Sequence, residues 1–237
     1  MSNIALIIAG GIGARTHQDI PKQFLNVNDK PIIIYTMEAF QNHPDVDAIF
    51  VVCLSGWQEM LKAYIHQFNI TKVIGIVEGG KNGQDSIRNG VFAIADVYQD
   101  DDLIMVHDAI RPMLSAEIIS DNILKCKKYG NAVTVIPCME AMLRSQNEIE
   151  SEESILRNSL FRAQTPQTIS VANAVRIHKE ALQRGITNSV ATCTLLLELG
   201  EKVYFANGSE LNIKITTTDD IIIFKSLLSM RKSEWLK

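Results

Sequence analysis

Apolar and polar positions along this chain follow two periods. Short, nearly unbroken apolar runs occur at Ile4–Ala9, Ala48–Leu54, Lys72–Val77, Leu103–His107 and Ala132–Ile136, with a sixth candidate at Lys202–Ala206. Runs of this length and composition are expected of strands covered on both faces of a sheet. Between them lie stretches with helical spacing. In Trp57–Phe68 the apolar residues Trp57, Met60, Leu61, Tyr64, Ile65 and Phe68 recur every three to four positions, which assigns Trp57, Met60 and Tyr64 to the core. Ile32–Gln41 opens after Pro31, a residue suited to a first helical turn. Gln84–Val97, Ala116–Tyr129, Val171–Arg184, Val190–Leu199 and Asp219–Met230 also read as helices.

Strand and helix in regular alternation predict an α/β fold with a doubly wound, mostly parallel sheet. No repeat, low-complexity tract or Ser/Pro-rich linker interrupts the chain, so residues 1–237 are expected to form a single domain. One stretch breaks the rhythm. Residues 138–162 carry charges on a weak alternation and form either a protruding β-arm or a long surface loop.

In sheets of this kind ligands bind at the carboxyl ends of the strands. The unusual residues fall there: Gly10, Gly11 and Gly13 follow the first strand, Gly79 and Gly80 the third, and Asp108 the fourth. A glycine turn after a strand lets backbone N–H groups approach phosphate oxygens with no Cβ in the way. Arg15 and Lys22, on the polar stretch that follows, would neutralise a polyphosphate. The plain alternative is a tight turn beside two solvated cations. A P-loop is excluded, because no Gly-Lys-Ser/Thr follows at the required spacing. A dinucleotide fingerprint fails at Thr16, and the second strand ends in the uncharged "VVCLSG", which argues against a dehydrogenase.

Composition narrows the class further. Hydrophobic residues make up 46% and charged residues 21%, as in ordinary globular proteins, and the net charge of −4 gives no field for nucleic acid. No apolar stretch reaches the roughly 18 residues of a membrane span, and "MSNIALII" lacks the basic segment and cleavage site of a signal peptide. Cys53, Cys126, Cys138 and Cys193 lie far apart, which points away from a zinc site or disulfide framework and toward a reduced, cytoplasmic setting.

The pairing of "AGGIGAR" with "PKQF" resembles the signature of sugar-phosphate nucleotidyltransferases. "EGGKNGQDSIRNG" (78–90), "HDAIRP" (107–112), "RAQTPQT" (162–168) and "NIKITTTDD" (212–220) follow in the order and spacing of the cytidylyltransferase family. That family includes methylerythritol-phosphate cytidylyltransferases of isoprenoid synthesis and ribitol-5-phosphate cytidylyltransferases of wall and capsule synthesis. The resemblance spans essentially the whole chain. It implies a Rossmann-like nucleotidyltransferase fold with a protruding β-arm at 138–162 that pairs two subunits into a homodimer. The implied reaction is attack of a polyol phosphate on the α-phosphorus of CTP, with Mg²⁺ as cofactor and pyrophosphate as leaving group. A phosphate monoester is already nucleophilic, so no Ser–His or His–Asp pair is needed.

Residue by residue, the resemblance implies that Arg15, Lys22 and Lys214 are catalytic cations around the triphosphate. Ala9, Gly10, Gly11, Gly13, Gly80, Ser86 and Ala109 match the nucleotide contacts. Asp108 matches the carboxylate that helps hold Mg²⁺ near the substrate, and Arg157 and Thr165 match residues that hold the polyol phosphate, with Arg157 reaching over from the partner's arm. Each position has a plainer role open to it: Asp108 as a turn cap, His107 as a packed strand-end residue, Lys214 as an edge-strand lysine, Arg157 as a surface ion-pair former. Some positions depart from the family pattern. Gly83 stands where an arginine is usual, Glu140-Ala141 replaces Asp-Thr, and Val190-Ala191 replaces Thr-Asp. These changes remove hydroxyl-binding groups from the acceptor side, so an acceptor other than either of those polyol phosphates and a non-catalytic nucleotide-binding relative both stay open. "AGGIG" and "KITTTDD" resemble the ribitol branch more than the isoprenoid branch.

Overall fold

The computed structural model describes residues 1–11 and 20–232. In chain order the strands are β1 (Asn3–Ala9), β2 (Asn26–Val27), β3 (Lys30–Pro31), β4 (Ala48–Cys53), β5 (Val73–Glu78), β6 (Leu103–Asp108), β7 (Asn131–Pro137), β8 (Met142–Arg144), β9 (Glu153–Ile155), β10 (Phe161–Ser170) and β11 (Phe205–Asn207). The helices are α1 (Ile32–Gln41), α2 (Gln58–Gln67), α3 (Gly83–Ala95), α4 (Ala116–Tyr129), α5 (Val171–Arg184), α6 (Thr192–Glu198) and α7 (Thr218–Lys232).

The strand period of two sorts the core into two layers. Ala5, Ile7 and Ala9 of β1 face one cluster with Met37 and Phe40 of α1, Leu61 of α2 and Ile119 of α4. Ile4 and Leu6 face the other, with Ile87 and Val91 of α3, Ile177 of α5 and Leu195 of α6. Helices therefore cover both faces of a seven-stranded sheet of order β11-β7-β10-β6-β1-β4-β5. β1 pairs in parallel with β4 on one side and β6 on the other, and β4 with β5. β10 runs antiparallel between β6 and β7. The sheet is mostly parallel, as the alternation predicts, and the winding direction reverses between β1 and β6.

Four readings of the pattern shift. β10 is a ten-residue strand in a stretch read only as a motif. The last strand starts at Phe205 rather than Lys202. Met60 is 46% exposed, while Trp57 and Tyr64 pack partly buried against the core. Trp57, Leu61, Tyr64 and Phe68 form the inward stripe, and Met60 sits about 100° around the helix from Leu61. Lys214 lies in irregular chain rather than on an edge strand.

Residues 142–155 form a two-stranded hairpin, β8 with β9, in register Met142↔Ile155 and Arg144↔Glu153. An isolated hairpin of this length is marginal on its own. Ile149 and Leu156 on this arm are 88% and 80% exposed.

α5 carries a buried histidine with acid sensitivity built in. Neither ring nitrogen of His178 has a hydrogen-bond partner. Burial, aided by the nearby Arg88 charge, pushes its pKa down to about 4. Its folded value lies below the unfolded one near 6.5, so the unfolded chain takes up the proton first on acidification. The stability this site contributes is whole above about pH 6.5 and is lost as pH falls toward 4, by up to roughly 3 kcal/mol. Thermal melting between pH 7 and 4.5 is expected to fall more steeply in the wild type than in a His178→Leu variant; parallel slopes would contradict the assignment.

Candidate functional site

The reversal of winding leaves a crevice at the carboxyl ends of β1 and β6, where doubly wound sheets bind ligands. β1 delivers Ala9, Gly10 and Gly11 to this edge. The chain after β5 passes close by: a Cβ on Gly10 would meet Ser86 Oγ at 3.1 Å and Gly79 Cα at 3.5 Å. At Gly80 a Cβ would stand 2.3 Å from Asp85 Cβ, so only glycine fits. The Ser86 hydroxyl accepts from the Gly80 N–H at 3.0 Å and donates to the Asn82 carbonyl at 2.9 Å. Ser86 thus shapes the turn into α3, which Asn82 caps by accepting from the Asp85 N–H at 2.8 Å.

Gln23, unassigned from sequence, clamps the glycine turn. Its amide donates to the carbonyls of Ala9 at 2.8 Å and Gly11 at 3.0 Å. Gln23 lies in the 3-10 turn Lys22–Phe24, anchored by Phe24 stacked on Trp57 at 4.8 Å. Lys22 in the same turn is only 8% exposed, so it is a held residue and not a tail of a polar loop. Gly13 and Arg15 lie outside the described residues. Ala109 is buried, its N–H donating to Ile8 and its carbonyl accepting from Thr36.

Across the crevice Asp108 ends β6 between two cations. Lys214 Nζ lies 3.2 Å from its Oδ1 and 3.1 Å from its Oδ2, and Arg111 Nε donates to Oδ2 at 3.0 Å. Lys214 is brought there by backbone stapling. Arg111 Nη1 donates to the Asn212 carbonyl at 2.8 Å, Asn212 donates to the Thr165 carbonyl at 2.9 Å, and the Ile215 N–H donates to the Ile110 carbonyl at 2.9 Å. Burial works to raise the Asp108 pKa, but Lys214, Arg111 and His107 together outweigh it and hold the carboxyl below its usual value. Asp108 is therefore ionised at neutral pH.

His107 is fully buried, edge-on to Phe40 at 5.2 Å. Burial is the main cause that pushes its pKa down to about 4, against the pull of Asp108. It is a packed, neutral strand-end residue. Thr165 joins the same cluster: its Oγ1 accepts from the Asp108 N–H at 3.1 Å and lies 3.0 Å from His107 Nδ1.

Among the described residues no group of three or more His, Cys, Asp or Glu side chains gathers to hold a metal. Among the described residues Asp108 offers a hard oxygen donor at the end of β6. A carboxylate there fits Mg²⁺ that arrives on a triphosphate, retaining phosphate and water ligands.

The structure thus gathers Ala9, Gly10, Gly11, Gly80 and Ser86 at the glycine turn, with Lys22 in the turn whose Gln23 clamps it, and gathers Asp108, Thr165 and Lys214 at the end of β6, where Ala109 follows. Arg157 is not part of either group. It sits on the exposed arm and donates to the Met139 carbonyl at 3.0 Å. Arg111, Gln23 and Asn212 are the structural members that sequence reasoning left out. Arg111 and Gln23 stand inside the motifs "HDAIRP" and "PKQF", where a buried polar type next to a strand end was the available signal.

The family model described as IspD, 2-C-methyl-D-erythritol 4-phosphate cytidylyltransferase, matches residues 3–230. A ribitol-5-phosphate cytidylyltransferase of Lacticaseibacillus paracasei is 43% identical over 226 residues, covering 94% of this chain and 97% of that protein. A 2-C-methyl-D-erythritol 4-phosphate cytidylyltransferase of Clostridium botulinum is 36% identical over 228 residues, covering 95% and 97%. The crystal structure of the Francisella tularensis 2-C-methyl-D-erythritol 4-phosphate cytidylyltransferase superposes with a TM-score of 0.80 at 26% identity, covering 95% of this chain and 99% of that one.

Proposed function

The chain belongs to the IspD cytidylyltransferase family, and on that premise we propose that it transfers CMP from CTP to ribitol 5-phosphate with release of pyrophosphate. The observation that carries the catalytic reading is the Asp108–Lys214–Arg111 cluster facing a clamped glycine turn across the β1/β6 crevice. The acceptor is argued from likeness: the relative named for ribitol 5-phosphate is 43% identical, and the one named for methylerythritol phosphate 36%.

In this reading the glycine turn and Lys22 hold the triphosphate, and Arg15 completes its neutralisation. An oxygen of the acceptor phosphate attacks the α-phosphorus. The new P–O bond forms as the bond to the bridging oxygen breaks, and pyrophosphate leaves with that electron pair. Lys214 offsets the charge that builds on the α-phosphoryl oxygens, and Arg111 keeps Asp108 oriented when Lys214 turns to the substrate. Mg²⁺ bound to CTP would be held at Asp108 and supply further charge neutralisation. Positioning and electrostatics supply the catalysis, so the absence of a general base from the cluster costs nothing.

The working unit in this reading is a homodimer of single-domain chains built through the 138–162 arm, with Arg157 serving the partner's acceptor pocket. Met139, Leu143, Ile149 and Leu156 are exposed on an arm that buries little against its own chain. A second copy is the natural cover, and a two-fold contact would complete both sites at once. The four cysteines are free and buried, which suits a cytoplasmic enzyme.

Steady-state pyrophosphate release tests the assignment. With Mg²⁺ and CTP, kcat/KM for ribitol 5-phosphate is expected to exceed that for 2-C-methyl-D-erythritol 4-phosphate, in line with the higher identity to the relative named for ribitol 5-phosphate. ATP and GTP are expected to be poor donors. The reverse acceptor preference would move the chain to the isoprenoid branch, and nucleotide binding without turnover would make it a non-catalytic relative.

A further inference from the structure

β6 ends in two residues that leave the strand on opposite faces. Asp108 turns to the crevice, and His107 turns into the core layer beside Phe40. The proposed reaction assigns His107 no contact with substrate, yet its ring touches both sides of the Asp108 cluster. Nε2 lies 3.3 Å from the Arg111 carbonyl, and Nδ1 lies 3.0 Å from Thr165 Oγ1.

Donor and acceptor chemistry orders these contacts. A carbonyl can only accept, so Nε2 carries the imidazole proton. In the neutral ring Nδ1 then presents a lone pair, and the Thr165 hydroxyl donates to it. The Asp108 N–H donates into the same hydroxyl at 3.1 Å. One directed chain results: Asp108 N–H to Thr165 O–H to His107 Nδ1, then His107 Nε2–H to the Arg111 carbonyl. It ties the end of β6, the middle of β10 and the turn that carries Arg111. The same Arg111 holds the Asp108 carboxylate and the backbone that delivers Lys214.

We propose that His107 is a positioning residue: it fixes the Thr165 hydroxyl, and through it the Asp108 backbone and the Arg111 turn, in the geometry that presents the Asp108–Lys214 pair to the nucleotide. This rests on the reaction proposed above. It also changes the role of Thr165. The only proton of its hydroxyl is committed to His107, so Thr165 orients Asp108 and has no hydrogen bond to donate to an acceptor phosphate.

The two ring nitrogens can be replaced separately. The carboxamide oxygen of His107→Asn stands near the place of Nδ1 and can accept from Thr165. His107→Gln reaches toward the Arg111 carbonyl but leaves Thr165 without its acceptor, and His107→Phe removes both contacts while filling the space. The expected order of kcat with CTP and ribitol 5-phosphate is wild type, then Asn, then Gln and Phe, with the last two down roughly 10- to 100-fold and KM for CTP little changed. A merely structural role predicts instead that activity follows melting temperature whichever nitrogen is replaced. A double-mutant cycle with Thr165→Val decides whether His107 acts through Thr165. If so, the double variant is no worse than the weaker single variant; losses that multiply overturn the proposal. The tautomer is read without turnover, by ¹⁵N NMR of the imidazole. A bare Nδ1 and a protonated Nε2 are expected, and a protonated Nδ1 overturns the chain. A wild type that turns over no acceptor would refute the proposed reaction, and the NMR result would still decide the hydrogen-bond chain.

Discussion

Replacing Lys214 with alanine is expected to lower kcat by roughly 10²- to 10³-fold while the melting temperature changes little. The two halves of this expectation have separate causes. In the structure Lys214 pairs with Asp108, but its side chain is 42% exposed. Exposed ion pairs contribute only about 0–1 kcal/mol to folding, and Arg111 still holds the carboxylate when Lys214 is gone. In the proposed reaction the same ammonium would face charge that builds at the sheet ends, where one stabilising donor is worth about 3–4 kcal/mol of barrier. Lys214→Arg should recover little, since a planar fork on a different stem does not reproduce a compact point charge. Stopped-flow or steady-state pyrophosphate release, with calorimetry on the same samples, checks both halves. A Lys214→Ala enzyme within about threefold of wild type would make the lysine a bystander that only neutralises Asp108.

Mixing two inactive variants should restore activity. Arg157 sits on the exposed arm with its own partner at the Met139 carbonyl. If it serves the partner's site, an Arg157→Ala subunit paired with a Lys214→Ala subunit gives one doubly damaged site and one intact site. Each mixed dimer should then reach roughly half the activity of a wild-type dimer. Subunit exchange is verified by mass-tagged native spectrometry before the assay. A mixture as inactive as its parents, with exchange proven, would confine Arg157 to its own chain or remove it from the site.

The parallel strands were readable because burial on both faces leaves an unmistakable apolar run, as in "IALIIA" and "AIFVVC". β10 was hidden for the opposite reason. Its sequence "FRAQTPQTIS" contains proline flanked by Gln164, Thr165, Gln167 and Thr168, polar residues that read as turn or loop. Those polar side chains are satisfied internally: Gln164 by Ser209 and Asn212, Gln167 by the N–H of Cys193, Thr168 by Asn122. A hydropathy pattern cannot register that kind of burial. Met60 failed for a simpler reason, since a helical period tolerates an apolar residue at the margin of the buried stripe.

The site was legible as a set of motifs and much less as a geometry. Glycines after β1 and β5 and a carboxylate after β6 could be placed at one sheet edge from topology alone. The meeting of Lys214 with Asp108, 106 positions apart, depends on Asn212 and Ile215 being stapled to the β6 turn, and no local pattern encodes it. The part of Arg111 was masked in the same way, because its guanidinium does one job at Asp108 and another at the Asn212 backbone.

The central claim is that an oxygen of the acceptor phosphate attacks the α-phosphorus of CTP in this crevice. Ribitol 5-phosphate carrying ¹⁸O in its phosphate oxygens tests it most directly, with ³¹P NMR of the reaction mixture in the presence of Mg²⁺ and CTP. The expected result is a diphosphate product in which the bridging oxygen between the two phosphorus atoms is ¹⁸O, together with unlabelled pyrophosphate. A product joined through an unlabelled bridge, label in the pyrophosphate, or no diphosphate at all under conditions where CTP is bound would contradict it.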